Sequence, residues 1–406
     1  MSQFAVLGVT GIVAFCLALG FSVMLHEAGH FLFAKKFGMK ATEFFIGFGP
    51  RIWSKVRGET EYGVKAIPAG GYVKIVGMTP LEEIPPGDET RAFYRQRPWH
   101  RFIVLIAGSA THFLIGIILL LVLVMGVGLP IQTQTLTMQA VSTCVPTTNQ
   151  SDCTQNSARS PAAKAGLKPG DRITGFNGRP VNSWEEVSRD LKVNGGKKVT
   201  LTVTRGGTSR DVAVRLATVT DAATGRQIGY LGVVSQAKVT GYQTYGPVEG
   251  VAMTGTFFVR EIGLIFQTLG DIPAALPKLF SPERADTKGG QVGSVVGAAR
   301  MAGDVFGSDT PGRAKASYFL NMVQSVNVFI GVFNLLPLLP MDGGHVAVLV
   351  WERLRAWFAR RRGRPDPGPV NMNKLLPATY FVFVVLVGLG LVLVAADLVN
   401  PLKTPF

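Results

Sequence analysis

The chain has 406 residues, of which 47% are apolar and only 17% charged, with a formal net charge of +15. So little charge in a chain this long excludes an ordinary soluble globular protein, because the apolar residues are also gathered into runs. The basic excess would suit a nucleic-acid binder, but the cations are confined to two segments beside apolar runs, which points to membrane topology and to no nucleic-acid partner.

Residues 1–38 read as one long helix whose apolar stretch, from Phe4 to Leu25 and on to Ala34, is about 46 Å long at 1.5 Å per residue. That exceeds the hydrocarbon core, so this is a first span. It lacks the basic start, the short length and the small-residue cleavage site of a signal peptide. Residues 39–100 change character. Glycines and prolines punctuate short alternating runs (51–56, 62–67 and 71–76), the pattern of β-hairpins, and a polar, proline-bearing loop follows. Lys35, Lys36, Lys40, Arg51, Lys55, Arg57, Lys65 and Lys74 make this segment basic. Residues 101–130 form a second apolar span.

Residues 131–235 read as a soluble island. Turn signals at Lys168-Pro-Gly-Asp and Asn177-Gly, strand-like runs at 198–204 and 211–216, and a helix near Ser183 to Leu191 predict a small α+β domain. Residues 236–315 carry an apolar stretch broken by Arg260 and Glu261. A charged pair in mid-span is costly, so these residues are expected to form amphipathic helices on the outer membrane surface. Residues 316–345 form a third span, 346–374 an arginine-rich loop, and 375–406 a fourth span with the C-terminus. The expected architecture is therefore a multi-pass α-helical membrane protein of four spans, with a membrane-associated β-hairpin region and an inserted α+β domain. Keeping both basic segments cytoplasmic puts the N-terminus, the inserted domain and the C-terminus outside. Cys144 and Cys153 then fall in an oxidising compartment and are expected to form a disulfide, while Cys16 lies within the first span.

The chemistry is concentrated in His26-Glu27-Ala28-Gly29-His30. Histidines four apart share one helix face and can bind one Zn2+ ion, and the glutamate between them can take a proton from metal-bound water. Buried polar groups of this kind in an apolar helix are expensive without a partner. A catalytic zinc needs a third protein ligand, and Asp342 fits best. It follows Asn334-Leu-Leu-Pro337-Leu-Leu-Pro340-Met341, where prolines break the helix, and Gly343-Gly344 allow an unusual backbone path. His345 competes for that place or supports it from outside. Asn334 suits a substrate carbonyl or a developing oxyanion, the plain alternative being an interhelical hydrogen bond. His100 and His112 lack partners at metal spacing and read as structural.

These motifs, in this order and topology, resemble the bacterial site-2 protease family over nearly the whole chain. The resemblance is to members with one PDZ domain between the second and third spans, of the actinobacterial type. Ser160-Pro-Ala-Ala-Lys-Ala-Gly-Leu-Lys-Pro-Gly-Asp resembles the PDZ signature. Gly47-Phe48-Gly49-Pro50 and Gly70-Gly71-Tyr72-Val73 resemble the family's hairpin region, and the segment 290–297 resembles the glycine-bearing stretch before the third span. The resemblance implies an intramembrane zinc metalloprotease of the bacterial cell membrane, acting in regulated intramembrane proteolysis. Its implied substrates are single-pass membrane proteins such as anti-sigma factors, cut after an upstream site-1 protease has shortened their outer part. By motif position, His26, His30 and Asp342 would hold Zn2+, Glu27 would be the general base, Asn334 would position substrate, and Gly70, Gly71, Tyr72 and Val73 would receive it as an added strand. Membrane lipid is the remaining expected partner. Two positions depart from the family pattern: the second proline falls at Pro340 rather than at Leu339, and Met341 replaces the usual leucine. The competing readings are a catalytically idle PDZ-bearing membrane scaffold, which the intact His26, Glu27, His30 and Asp342 argue against, and a metal transporter, whose ligands would be spread along a path.

Overall fold

The computed structural model of the chain describes residues 3–78, 84–149, 157–281, 284 and 290–402. Helix α1 runs Gln3–Lys36. It stops where Gly38 adopts φ +76°, and the amides of Gly38 and Met39 return to the carbonyls of Lys35 and Ala34. A left-handed glycine just past the last turn is a common helix stop, since only glycine takes that conformation without steric cost.

Strands β1 (Ala41–Arg57) and β2 (Thr60–Ile75) follow as one long hairpin turning at Gly58, φ +66°. The hairpin folds back on itself. Phe44 is paired with both Tyr62 and Val73, while Lys55 also pairs with Tyr62. The two strands therefore behave as four short ones, in the order 71–75, 41–46, 60–65, 51–57. Segment 71–75 is an edge strand. Glu59, next to the turn, accepts hydrogen bonds from Arg91 and Lys35 and so ties the hairpin to the end of α1.

Helix α2 (Pro98–Leu121) begins with proline in its first turn, where the missing amide costs nothing, and continues as a π-helical turn to Val127. Two compact units then separate. The inserted unit is Pro130–Gln243. It contains β3 (Leu129–Val141), α3 (Pro161–Lys164), β4 (Arg172–Phe176), β5 (Arg179–Pro180), α4 (Trp184–Val193), β6 (Lys198–Arg205), β7 (Thr208–Arg215), β8 (Ala217–Thr220), β9 (Gln227–Tyr230) and β10 (Val233–Gln243). Its main sheet has the order β10-β3-β4-β6-β7, with β5 on β4 and a separate β8-β9 hairpin. Ile173, Phe176, Leu201, Val203 and Val187 close its core. Ser183 caps α4 by accepting from the Glu186 amide. Strand β10 carries this unit past the boundary at 235, because it pairs with β3.

The chain returns to the first unit with α5 (Pro247–Ala275), α6 (Val295–Gly307), α7 (Gly312–Asn334), α8 (Asp342–Arg361) and α9 (Leu376–Val399). Among the described residues four helices are long and apolar enough to cross a membrane: Ala5–Lys36, Pro98–Val127, Gly312–Asn334 and Met372–Val399. Helix α5, in the segment expected to lie on the membrane surface, packs on these spans. Phe258, Ile262 and Ile265 of α5 pack with Phe113, Val328 and Val332. Glu261 accepts from the Gln324 amide at 2.6 Å, which gives the interrupting charge a partner. Helix α6 crosses α1 so closely that a methyl group on Gly11 would lie 2.4 Å from the Ala302 carbonyl oxygen. Small residues permit such crossings where packing rather than water drives helix association. The C-terminal end of α9 is fixed by Asp397, which is buried and meets Arg284 at 2.6 Å and the Ser294 hydroxyl at 2.6 Å. Residues 346–361, expected as part of a loop, are helical. Leu349, Glu352 and Ala356 recur at helical spacing and face the bundle.

The hairpin tether has a pH signature. The Arg91 guanidinium first, and the Lys35 ammonium second, hold the Glu59 carboxyl down at about 2, against an ordinary 4.5. A depressed carboxylate contributes its stabilisation above its unfolded value and loses it as pH falls towards the folded one. The hairpin is therefore expected to loosen between about pH 4.5 and 2. Glu59→Gln should mimic this at neutral pH, with faster tryptic cleavage after Arg57 in the full-length protein. Unchanged cleavage would show that the tether does not hold the hairpin.

Candidate metal centre

Three ligand atoms converge within the helical unit. On α1, His26 and His30 lie one turn apart and bring their Nε2 atoms to 3.1 Å of each other. Asp342 Oδ2 lies 3.4 Å from the first and 3.3 Å from the second. Ligands about 2.0–2.1 Å from a tetrahedral zinc stand about 3.3 Å apart along each edge of the tetrahedron. The triangle observed is of that size. Asp342 Oδ2 is buried and has no hydrogen-bond partner among the described residues, which is the condition of a ligand oxygen awaiting a cation. The residues fit the metal.

Each ligand is positioned by local sequence. The His30 ring is oriented by a 2.7 Å hydrogen bond from Nδ1 to the Val104 carbonyl of α2, which leaves the Nε2 lone pair directed at the site. Asp342 is the first residue of α8. The span α7 ends at Asn334, and a short turn containing Pro337 and Pro340 reverses the chain. A methyl group on Gly343 would lie 2.3 Å from the Leu335 carbonyl, and one on Gly344 would lie 2.6 Å from Leu338 and Leu339 backbone atoms. Glycine at both positions is what allows the turn to close over the start of α8 and set Asp342 against the histidines.

The approach of α1 to α2 is equally restricted. Gly29, between the two histidines, faces Thr111 and Ala107 of α2, and a methyl group there would lie 2.7 Å from the Thr111 hydroxyl. Opposite, a methyl group on Gly108 would fall 2.4 Å from His30 Nε2 and 2.5 Å from His26 Cε1. Gly108 thus keeps open the space in which the imidazoles meet. Nothing in local spacing marks it out, because its role depends on the facing helix. Sequence reasoning also missed the surroundings of His112. Its Nδ1 is 2.8 Å from Asn327 Oδ1, and its ring centroid is 5.0 Å from that of His26. It is a satisfied structural histidine outside the ligand cluster, as expected, and it also walls the metal centre. His100 does have a packing role, stacked on Phe37 at 4.2 Å.

The other expected site residues divide. Glu27 faces the hairpin: its Cγ would be 3.2 Å from a methyl group on Gly71, and the Val73 amide adjoins its carboxylate. The edge strand therefore runs beside the glutamate. Gly70 takes φ +140°, and the Tyr72 hydroxyl is held between Glu43 at 2.5 Å and Lys65 at 2.7 Å. Asn334 closes α7, and its side chain makes no hydrogen bond among the described residues, so the interhelical bond is not formed there. His345 is not in the ligand cluster. It lines a separate cavity of about 320 Å³ with Arg101 and Glu352. Cys144 is buried in the inserted unit, and Cys153, its expected bridge partner, lies outside the described residues.

Comparison with known proteins gives this geometry a family. Residues 14–365 match the model of peptidase family M50. The chain belongs to that family. It is 38% identical over 401 residues to zinc metalloprotease Rip1 of Mycobacterium tuberculosis, covering 97% of this chain and 98% of that protein. It is 36% identical over 409 residues to zinc metalloprotease Rip1 of Mycolicibacterium smegmatis, with the same coverage. The protein is a zinc metalloprotease of the M50 (site-2 protease) family, its cofactor is Zn2+, and its four long apolar helices make it a multi-pass membrane protein.

If Gly108 holds the imidazoles apart from α2, then Gly108→Ala should lower zinc content by at least about tenfold in the purified M50 protease while it stays folded in detergent. Metal analysis checks this, beside a Gly126→Ala control, where a methyl group meets nothing within 4 Å. Full zinc occupancy in Gly108→Ala would refute the steric role.

Proposed function

We propose that this protein hydrolyses peptide bonds within or beside the membrane-spanning segment of single-pass membrane proteins. Anti-sigma factors, first shortened outside by a site-1 protease, are the substrate class favoured by the family resemblance. The observation that carries the reading is the meeting of two features on one spot. The ligand triangle of His26, His30 and Asp342 lies within an apolar bundle, and the edge strand 71–75 runs past Glu27. A helical substrate offers no free amides, so scission requires it to unwind. An edge strand supplies backbone groups that pair with an extended segment and compensate that unwinding. Gly70 and Gly71 keep this edge free of bulk, and Tyr72, clamped by Glu43 and Lys65, stiffens it.

His26, His30 and Asp342 hold the zinc in this reading. When bound, zinc lowers the pKa of a coordinated water towards 7 and polarises the scissile carbonyl. Glu27 takes the proton from the attacking water at its carboxylate and passes it to the leaving amine nitrogen. The unpaired Asn334 amide donates to the substrate carbonyl oxygen. The apolar bundle excludes competing water.

The inserted unit is read as a PDZ domain on the outer side, with both termini outside and the hairpin in the cytoplasm. In this arrangement the domain either screens substrates by the size of their outer part or binds a newly exposed C-terminus. The Cys144–Cys153 bridge fits the same compartment. In the membrane-embedded full-length protein, removing residues 135–230 should allow uncut substrate to be cleaved if the domain is a size filter. Persistent resistance of uncut substrate would leave C-terminus capture as its role.

Cleavage of a truncated single-pass anti-sigma factor by the purified protein in detergent tests the main reading. Glu27→Gln is expected to lose at least about 10²-fold in rate, the usual contribution of a general base, and to keep its zinc. Chelation should abolish cleavage in the wild type. Cleavage that survives Glu27→Gln would remove Glu27 from the mechanism.

A further inference from the structure

Helix α8 has two jobs at its two ends. Asp342 begins it at the metal centre, whereas its later turns carry an exposed apolar stripe. Val350, Leu354, Trp357 and Phe358 are 48%, 44%, 40% and 52% exposed. These positions lie along one side of the helix, away from the buried Leu349, Glu352 and Ala356. Arginines flank the stripe: Arg353 and Arg360 on one side, Arg355 and Arg362 on the other. Glu352, on the same helix, is already committed to Arg101 at 2.9 Å. Arg353, Arg360 and Arg362 have no carboxylate partner among the described residues. Trp and Phe on one face with unpaired arginines at its margins is the pattern of a helix in a membrane interface.

The stripe borders a groove of about 660 Å³ between α8 and the start of α2. Phe102, Val350, Leu354, Trp99 and Trp357 supply apolar wall, and among the described residues Arg353 and Arg360 are the charged groups that line it. Among the described residues no acidic side chain lines it. Pro98 and Trp99 open the second span, so the groove sits where that helix leaves the bilayer. Tryptophan favours this depth. The Arg361 guanidinium lies 4.0 Å over the Trp357 ring and adds a third cation at the rim.

We propose that this groove is a binding site for an anionic phospholipid. The phosphate would meet Arg353 and Arg360, and one acyl chain would run along Phe102 and Val350. Charge complementarity selects this occupant. A zwitterionic lipid would bring an ammonium group to a rim of arginines, and a second copy of the chain would need acids that this face lacks. The site is separate from the metal centre and independent of the protein's substrate.

The full-length protein, purified in neutral detergent, is titrated with phosphatidylglycerol or with phosphatidylcholine of the same acyl composition. Bound lipid is counted by native mass spectrometry. The wild type is expected to retain phosphatidylglycerol at concentrations roughly tenfold lower than phosphatidylcholine, and the paired substitution Arg353→Gln with Arg360→Gln should erase that preference. Zinc content is measured in the same samples, so that a misfolded variant is recognised by losing its metal. In that event Leu354→Asp, which blocks the groove and keeps the arginines, replaces it and is expected to lose the lipid. Equal retention of the two lipids by the wild type would overturn the proposal. So would an unchanged preference in a zinc-loaded variant, or a dimer cross-linked through Trp99→Cys.

Discussion

Two imidazole nitrogens and a carboxylate oxygen within 3.4 Å of one another, in an apolar helix bundle, place the central constraint on this molecule. Each group loses hydration on burial, and none finds its compensation in the others alone. A cation resolves the conflict, and the protein must then bring three elements together at one point without filling it. Much of the surrounding sequence serves that requirement. Gly29 and Gly108 thin the α1–α2 crossing, Gly343 and Gly344 let the turn fold onto α8, and the Val104 carbonyl fixes the tautomer of His30. Glycine is a poor choice in a helix interior on propensity grounds. It persists here because a methyl group would occupy the place of a ligand or of backbone.

The same economy of space shapes the hairpin beside Glu27. The hairpin's long strands fold back into a four-segment sheet, and this puts segment 71–75 at an edge rather than in the middle. An edge normally invites unwanted pairing. Here the edge runs beside Glu27 of α1. The Glu59 tether to Arg91 and Lys35 fixes the far end of the hairpin to the end of the very helix that carries His26 and His30. The edge strand and the histidine ligands are thus tied to the same helix, α1.

How legible this was in the sequence follows the range of each interaction. His26, Glu27 and His30 were readable because an i, i+4 pair is set by the helix itself. Asp342 was readable because Pro337, Pro340 and the glycine pair announce a broken backbone next to a carboxylate. The spans were readable from length and hydropathy. Gly108, His112 and Asn327 were not, since their meaning arises only when α2 lies against α1 and α7. The refolded hairpin was not, because alternation gives strands but not which strand each one pairs with twice. The partner of Glu261 in α5 was not readable either, because Gln324 meets it from α7. Arginine content disguised α8 as a loop, although Leu349, Glu352 and Ala356 already marked its inner face.

That last case bears on how the metal centre is held. The third ligand is not on a span. It sits at the first turn of a helix whose register is fixed further along by Leu349 in the core and by Glu352 against Arg101 of α2. A rigid helix transmits axial position along its length, so whatever settles the outer turns of α8 also settles Asp342. The two histidines are set by the fixed rise of α1 and cannot adjust. The carboxylate, reaching the site from a separate helix, is the member of the triad whose placement is open to influence from outside the bundle. Interfacial anchoring of α8 by aromatic and cationic side chains is then a physical contribution to the geometry of the metal centre, made from the far end of the helix that carries the ligand.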